Sequence, residues 1–259
     1  MNQLLQVRCS AGYVASNPVL DGLEFSIGEG EAFGLVGESG AGKSTVGLAL
    51  LNLLQWTGGW VTGEVRFRGQ NLLTLREREI RRIRGKEIAL VPQSPLASLN
   101  PALRLEAHFK EAWKVHRSEP WRSAQDRVME LLAAVQLPSN DGFLKRYPRE
   151  LSVGMAQRLV IALALLHQPA LVIADEPTSA LDPVTQADIL RLFADINASG
   201  SALLYISHDL PSVAALCARV AILQRGRVVE EGLCDEVFRK PAHPYAHRLI
   251  QAVAAWPPR

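Results

Sequence analysis

"GESGAGKS", residues 37 to 44, fits the pattern Gly-x-x-x-x-Gly-Lys-Ser/Thr at every fixed position. It follows a short apolar run, AFGLV, that is typical of a buried strand, and it precedes apolar residues at helical spacing. In this position the backbone N–H groups of a glycine-rich loop curl around phosphate oxygens, and the helix N-terminus adds a partial positive charge. The stretch therefore predicts a phosphate-binding loop, or P-loop, in an α/β fold.

Two side chains of this loop carry most of its chemistry. We expect the Lys43 ammonium to reach the β- and γ-phosphates of a nucleoside triphosphate, and the Ser44 hydroxyl to coordinate Mg²⁺. The predicted nucleotide-binding residues of the segment are Gly37, Glu38, Ser39, Gly40, Ala41, Gly42, Lys43, Ser44 and Thr45.

Carboxylates end a second apolar strand, LVIADE (residues 171 to 176). Ligands of open α/β sheets bind at the carboxyl edge of the strands, so we expect both acids to face the bound nucleotide. Asp175 is predicted to help hold Mg²⁺, and Glu176 to polarise the attacking water. Together with the P-loop, this pair predicts hydrolysis of a nucleoside triphosphate rather than binding alone.

Three further residues are candidates for the same site. His208 closes the apolar strand ALLYIS, and although a strand-end histidine alone is more often structural, this one shares a sheet edge with Glu176. We expect it to contact the γ-phosphate or the attacking water. Gln93 follows the strand EIALV, where its neutral amide is predicted to bind Mg²⁺ or water and to sense the γ-phosphate. Tyr13 is either a core tyrosine or a stacking platform for the adenine ring.

Strands and helices alternate along most of the chain. This order predicts an α/β domain with a mostly parallel central sheet, an N-terminal antiparallel β region and an inserted α-helical subdomain. We place the core at residues 1–95 and 158–235, the helical subdomain at 96–157, and a short C-terminal extension at 236–259.

The composition excludes several other classes of protein. The 259 residues carry a formal net charge of +2, which does not indicate a nucleic-acid binder. Three widely spaced cysteines, Cys9, Cys217 and Cys234, fit a reducing cytosol better than a disulfide framework. No signal peptide is visible and no segment reaches about 18 uninterrupted apolar residues, so we expect any membrane role to come through a partner.

Seven motifs in a fixed order make the chain resemble the ATP-binding subunit of ABC (ATP-binding cassette) transporters over essentially its whole length. They are the A-loop Tyr13, the Walker A loop GESGAGKS, the Q-loop Gln93, the signature LSVGM (151 to 155), the Walker B strand LVIADE, the D-loop SALD (179 to 182) and the switch His208. The resemblance implies a RecA-like P-loop NTPase core that binds ATP and Mg²⁺, and it makes the insert at 96–157 the helical subdomain of such a cassette.

The resemblance also implies a head-to-tail dimer, in which each ATP lies between the P-loop of one subunit and the signature of the other. Ser152, Gly154 and Asp182 are the residues expected to serve the partner's nucleotide. Val153 stands where the family pattern Leu-Ser-Gly-Gly-Gln has its first glycine. Because a β-branched residue resists positive φ, we expect φ < 0 there and a working turn. The alternative is a blunted ATP site in a heterodimer.

A narrower resemblance links the chain to the peptide/nickel importer branch, through SLNP (98 to 101) after the Q-loop and HPY (243 to 245) near the C-terminus. It implies a peripheral subunit at the cytoplasmic face of the inner membrane, which powers import of peptides, nickel or related small solutes. The implied partners are a second ABC ATPase subunit, identical or different, integral-membrane permeases and, indirectly, an extracytoplasmic solute-binding protein. Cys234 is alone near the C-terminus, so the iron–sulfur centre of some members is not expected. The alternative function is an ATPase subunit of a carbon–phosphorus lyase complex, which also resembles this branch.

Overall fold

Two β-sheets form the framework of the protein in a computed structural model, which describes residues 3–13 and 18–252. Residues 253–259, the end of the predicted C-terminal extension, lie outside the described part. The described strands, in chain order, are β1 (Gln3–Tyr13), β2 (Leu20–Gly28), β3 (Ala32–Val36), β4 (Gly59–Phe67), β5 (Gln70–Asn71), β6 (Ile88–Val91), β7 (Leu171–Asp175), β8 (Ala202–Ser207), β9 (Arg219–Gln224) and β10 (Arg227–Leu233).

The N-terminal sheet is antiparallel, as predicted, and has the strand order β2-β1-β4-β5. In its centre Val7 of β1 lies opposite Phe25 of β2 and Val65 of β4, and all three side chains are buried. Strands with one buried face alternate apolar and polar residues, which is the pattern that β1 shows in the sequence. The buried face packs against helix α1 (Lys43–Leu50), which follows the P-loop.

The second sheet has the order β10-β9-β3-β8-β7-β6, and all its strands except β10 run parallel. Every residue of β3, β7 and β8 is buried, because helices or the other sheet cover both faces. The carboxyl ends of parallel strands meet at one edge. This topology therefore brings together the segments that follow β3, β6, β7 and β8, which contain the P-loop, Gln93, Glu176 and His208.

The remaining helices include a group inserted between β6 and β7. In chain order the helices after α1 are α2 (Glu77–Ile80), α3 (Pro95–Ser98), α4 (Leu105–His116), α5 (Arg122–Ala134), α6 (Asp141–Leu144), α7 (Val153–Ala164), α8 (Pro183–Ala198), α9 (Leu210–Leu216), α10 (Cys234–Arg239) and α11 (Pro244–Gln251). Helix α7 runs through the predicted boundary between residues 157 and 158, so the insert and the core share one continuous helix. In the described residues, no helix combines the length and apolar character needed to cross a bilayer.

A tight turn between β9 and β10 joins the two sheets to the P-loop. Gly226 in this turn has φ +79°, and a Cβ atom there would lie 2.0 Å from the Val19 carbonyl oxygen, so only glycine fits. Its N–H donates to the Ala41 carbonyl (3.1 Å), and its carbonyl accepts from the Asp21 N–H (3.0 Å). The turn thus holds the phosphate loop and the start of β2 in one fixed arrangement.

Candidate active site

The backbone of the P-loop requires glycine at both fixed glycine positions of its pattern. A Cβ atom at Gly37 would lie 2.4 Å from the Leu223 carbonyl oxygen, so the start of the loop lies directly against the end of β9. Gly42, the N-cap of α1, has φ +102°, which side-chain-bearing residues rarely adopt. The close contact at Gly37 and the positive φ at Gly42 are the physical reason for the two fixed glycines of the pattern GESGAGKS.

Lys43 lies across the loop and is nearly buried, with 7% of its surface exposed. Its ammonium donates to the carbonyl oxygens of Gly37 (2.8 Å) and Glu38 (3.1 Å), and lies 3.4 Å from the Glu176 carboxylate. A buried cation needs such partners, since an unpaired charge in the interior is costly. The loop therefore holds its positive charge in place at the mouth of the phosphate-binding turn.

Glu176 follows the last residue of β7 with an unusual left-handed backbone, φ +48°. Its N–H still donates to the Ile206 carbonyl of β8 (2.8 Å). The conformation ends the strand and points the side chain towards the P-loop. There one carboxylate oxygen lies beside Lys43, and the other lies 2.5 Å from Nδ1 of His208, which is exposed. Because a carboxylate can only accept, Nδ1 of His208 is the donor.

Asp175, the last residue of β7, is a second buried acid of the site, beside the equally buried Glu176. The Ser44 hydroxyl hydrogen-bonds to it, yet its Oδ1 atom has no partner. Burial raises the pKa of Asp175 above its ordinary value of 3.8. An unsatisfied carboxylate oxygen beside a hydroxyl suits a hard cation such as Mg²⁺, which takes oxygen ligands. The residues present therefore fit the predicted metal site.

One cavity of about 660 Å³ collects most of the predicted residues. The predicted residues that line it are Gly37, Glu38, Ser39, Gly40, Gly42, Lys43, Ser44, Thr45, Gln93, Glu176 and His208. Ala41 lies behind the loop, where its carbonyl accepts the Gly226 N–H. The sheet edge thus brings together the loop, the neutral amide, the acid and the histidine.

The signature and D-loop residues do not line this cavity. Ser152 is the N-cap of α7, and its hydroxyl accepts from the Met155 N–H (3.2 Å). Asp182 is the N-cap of α8, and its carboxylate accepts from the N–H groups of Val184 and Thr185. The two helix starts are neighbours, since a Cβ atom on Gly154 would lie 3.0 Å from the Thr185 methyl group.

Val153 is the first helical residue of α7 and is absent from the described residues with positive φ. The expected φ < 0 is confirmed, so the valine forms an ordinary helix start behind the Ser152 cap. Its side chain is 39% exposed and adds apolar surface at the start of the helix.

Tyr13 is the last residue of β1, where it pairs with Gly59 of β4. It packs partly buried against the apolar cluster of the antiparallel sheet and does not line the P-loop cavity. Residues 14–17, which follow it, lie outside the described part of the chain. The adenine platform stays a prediction.

Three residues near the loop were not predicted from the sequence. Val19 and Leu249 line the cavity, and the Tyr245 hydroxyl accepts a hydrogen bond from the Glu38 N–H (3.1 Å). The stretch HPY that contains Tyr245 was noted in the sequence only as a mark of one importer branch. Its contact with the P-loop joins segments more than 200 positions apart, and no local pattern reveals such a contact.

Comparison with known proteins identifies one family, the ABC transporters. The ABC transporter family model matches residues 20–179, which is more than half of the chain. The probable peptide ABC transporter ATP-binding protein y4tR of Sinorhizobium fredii is 43% identical, over 90% of this chain and 70% of that protein. The oligopeptide transport ATP-binding protein OppD of Bacillus subtilis is 40% identical, over 90% and 65% respectively. The dipeptide transport ATP-binding protein DppD of Haemophilus influenzae is 37% identical, over 90% and 71%. The chain thus spans about two thirds of the length of these relatives.

Solved structures with the same fold are also similar in sequence. A dimeric ATP-binding cassette in a post-hydrolysis state with ADP and Pi superimposes with a TM-score of 0.76 at 26% identity, covering 89% of this chain and 98% of that one. An ATP-binding subunit of an ABC transporter gives a TM-score of 0.77 at 29% identity, covering 96% and 98%. The predicted α/β architecture is therefore confirmed.

Proposed function

The chain belongs to the ABC transporter family and is an ATPase of that family, and from this premise we propose that it powers the import of peptides or related small solutes. The observation that carries the solute class is the 37–43% identity to peptide, oligopeptide and dipeptide transport proteins over 90% of the chain. These relatives are transport proteins, so the phosphonate-complex alternative is not favoured.

We assign the chemical roles from the positions of the side chains. Lys43 and the backbone N–H groups of the P-loop bind the phosphates. Ser44, Gln93 and Asp175 are the residues that would hold Mg²⁺, which when bound offsets the negative charge of the phosphates. Phosphoryl transfer relies mainly on positioning and charge, and this loop supplies both.

Glu176 acts on the water, and His208 acts on Glu176. The Glu176 carboxylate orients a water molecule in line with the γ-phosphorus and accepts its proton as the new P–O bond forms and the bond to the β-phosphate oxygen breaks. His208 donates to the same carboxylate and so fixes its direction. The Lys43 ammonium lies 3.4 Å from the Glu176 carboxylate. We propose that a bound γ-phosphate replaces the carboxylate as the partner of Lys43 and frees Glu176 for the water.

A second ABC ATPase subunit completes each site in this proposal. Ser152, Gly154 and Asp182 would contact the nucleotide held by the partner's P-loop, which accounts for their position outside the cavity of their own chain. Closure on ATP and reopening after hydrolysis would move integral-membrane permeases, with the chain bound at the cytoplasmic face of the inner membrane. A solute-binding protein on the other side of that membrane would deliver the solute.

The substitution Lys43→Ala tests the nucleotide site. Loss of the ammonium removes charge-assisted hydrogen bonds to phosphate, so we expect ATP binding to weaken about 10- to 100-fold. The measurement is the dissociation constant for ATP by calorimetry on the full chain. Lys114→Ala, which removes an exposed lysine of α4, is the matched control. Unchanged affinity in Lys43→Ala would reject the assignment of the loop.

Affinity purification from membranes tests the transport role. We expect integral-membrane permeases to co-purify with the tagged chain, and peptide uptake by the cell to fall when Lys43→Ala replaces the native protein. Recovery of soluble phosphonate-processing enzymes, with peptide uptake intact, would contradict the transport role and leave the ATPase assignment standing.

A further inference from the structure

The peptide unit between Gly37 and Glu38 is held at both ends. Its carbonyl oxygen, on Gly37, accepts from the Lys43 ammonium at 2.8 Å. Its N–H, on Glu38, donates to the hydroxyl of Tyr245 at 3.1 Å. A peptide unit is planar and its C=O and N–H point in opposite directions, so fixing the N–H also fixes the carbonyl. The Tyr245 hydroxyl therefore determines where a main partner of Lys43 lies.

Tyr245 is well placed for this role, because its ring is packed in the core and its backbone N–H is hydrogen-bonded. Only 2% of its surface is exposed, and its ring lies in the hydrophobic cluster beneath the second sheet. It is in the first turn of α11, whose N-cap, His243, accepts the Tyr245 N–H through Nδ1 (3.1 Å). Burial raises the pKa of Tyr245, which keeps the hydroxyl in its neutral form.

A carboxylate on β10 anchors the start of α11. Glu230 accepts from the N–H groups of Ala242 and His243, both at 2.8 Å. Leu249, one turn beyond Tyr245, lines the P-loop cavity itself. The C-terminal helix is thus tied to the sheet on one side and to the phosphate loop on the other, although it lies outside the residues matched by the family model.

We propose that Tyr245 is a positioning residue for nucleotide binding: by holding the Gly37–Glu38 peptide unit it keeps Lys43 in the place that receives the phosphates. This inference rests on the proposed role of Lys43. Through Tyr245, the C-terminal helix then sets the affinity of the site for ATP. Tyr245 itself does not contact the nucleotide.

The effect on affinity follows from a population argument. Without the hydroxyl, the Glu38 N–H loses its partner, and the peptide unit rotates among several orientations. In a share of the molecules the Gly37 carbonyl then no longer holds Lys43. The apparent dissociation constant rises as the fraction of binding-competent loops falls. Turnover at saturating ATP changes little, because bound phosphates select the competent loop.

The substitution Tyr245→Phe tests the inference, since it removes one oxygen and keeps the ring in the core. We expect the dissociation constant and the KM for ATP to rise about 3- to 10-fold. We also expect kcat to stay within about twofold and amide hydrogen exchange in residues 37–44 to speed up. A variant that only destabilises the fold would have a lower melting temperature, but it would not raise KM while leaving kcat unchanged.

Two further variants make the result decisive. Tyr147→Phe removes a hydroxyl from a half-buried tyrosine whose ring lies against Arg104 and Arg149, and we expect it to leave ATP affinity and loop exchange unchanged. Glu230→Ala releases the N–H groups of Ala242 and His243, and we expect it to weaken ATP binding in the same direction. The double variant with Tyr245→Phe is then less than additive, because both act through one peptide unit.

Native ATP affinity and native loop exchange in Tyr245→Phe would overturn the inference, as would an equal loss in Tyr147→Phe or a fall in kcat at unchanged KM. These outcomes are separate from failure of the site assignment. If Lys43→Ala binds ATP normally, the assignment of the P-loop lysine is wrong whatever Tyr245 does. If Lys43→Ala fails to bind while Tyr245→Phe is native, only the positioning role is wrong.

Discussion

The backbone of Glu176 is the most informative feature of the site at the scale of single residues. A left-handed φ of +48° in a glutamate costs about 1–3 kcal/mol, and such strain persists only where the surroundings hold it. Here the N–H bond to Ile206 and the contacts of the carboxylate with Lys43 and His208 hold it. The same conformation that strains the chain places the acid over the phosphate loop.

The substitution Glu176→Gln separates binding from hydrolysis. The amide keeps the shape of the side chain but does not accept a proton from water, so we expect turnover to fall about 100-fold or more. ATP affinity is expected to stay native or to tighten, since one negative charge near the γ-phosphate is gone. Steady-state ATPase assays and calorimetry measure the two quantities. Glu130→Gln, at an exposed position on α5, is the control, and near-native turnover in Glu176→Gln would refute the role of this acid.

The substitution Asp175→Asn shows the cost of a buried acid. Because burial raises the pKa of Asp175 above 3.8, the folded state loses free energy of unfolding as the pH rises through that raised value. Asparagine has no charge to desolvate, so we expect the nucleotide-free variant to melt about 2–4 °C higher at neutral pH. The difference is expected to close as the pH falls towards about 4.

Calorimetric melting curves across this pH range check the prediction, and Mg²⁺-dependent hydrolysis should be strongly reduced in the same variant. A lower melting temperature at neutral pH, or a difference that does not depend on pH, would show that Asp175 does not suffer the expected desolvation.

At the scale of elements, the start of α7 shows how the chain accommodates a valine in the signature. The helix begins at Val153 with negative φ behind the Ser152 cap, so glycine is not required for the turn. What the valine changes is the surface at the helix start, where its side chain is 39% exposed. The blunted-site alternative therefore gains no support from backbone strain.

The substitution Val153→Gly tests this reading of α7. Glycine in the first turn loses backbone entropy on folding, so we expect a loss of about 0.5–1 kcal/mol in the free energy of unfolding and no large gain in ATPase activity. Urea unfolding and turnover with the assembled partner subunits measure both. A severalfold rise in turnover would revive the blunted-site alternative.

The elements that the sequence predicts well are those with a local cause. The apolar runs of β3, β7 and β8 and the glycine pattern of the P-loop each follow from short-range packing or backbone geometry, and the structure has them where they were expected. The pairings of Glu176 with Lys43 and of Tyr245 with Glu38 depend on which strand ends and helices become neighbours. Periodicity carries no information on such distances. The boundary predicted at residue 157 comes from the family resemblance, but helix α7 is continuous there and packs on both the insert and the core.

At the scale of the whole molecule, the P-loop and the signature residues do not share one cavity. The P-loop cavity is at the carboxyl edge of the parallel strands, whereas Ser152 and Asp182 cap neighbouring helices outside it. This separation agrees with the proposal that the signature serves a second chain, and a cassette of the same fold is dimeric.

Assembly of two chains on ATP is the corresponding prediction. In Glu176→Gln, slow hydrolysis should trap the ATP-bound closed dimer. We therefore expect ATP to double the mass of the chain in solution. If the native partner is a different cassette, we expect ATP to join the two different chains. Light scattering of the co-expressed subunits measures this change in mass. The double variant Glu176→Gln, Lys43→Ala should stay monomeric with ATP. A mass of Glu176→Gln that is the same with and without ATP would contradict a dimer that closes on nucleotide.

The glycine turn at Gly226 affects the enthalpy and the heat-capacity change expected for ATP binding. The turn, the end of β9 and the Tyr245 hydroxyl hold the P-loop in shape through contacts within the protein alone. A ligand that meets a finished loop has little chain to order, so association carries a small conformational entropy penalty and a small heat-capacity change. ATP is then expected to bind one subunit with a nearly temperature-independent enthalpy. The large heat-capacity change should belong to the later step in which two subunits close.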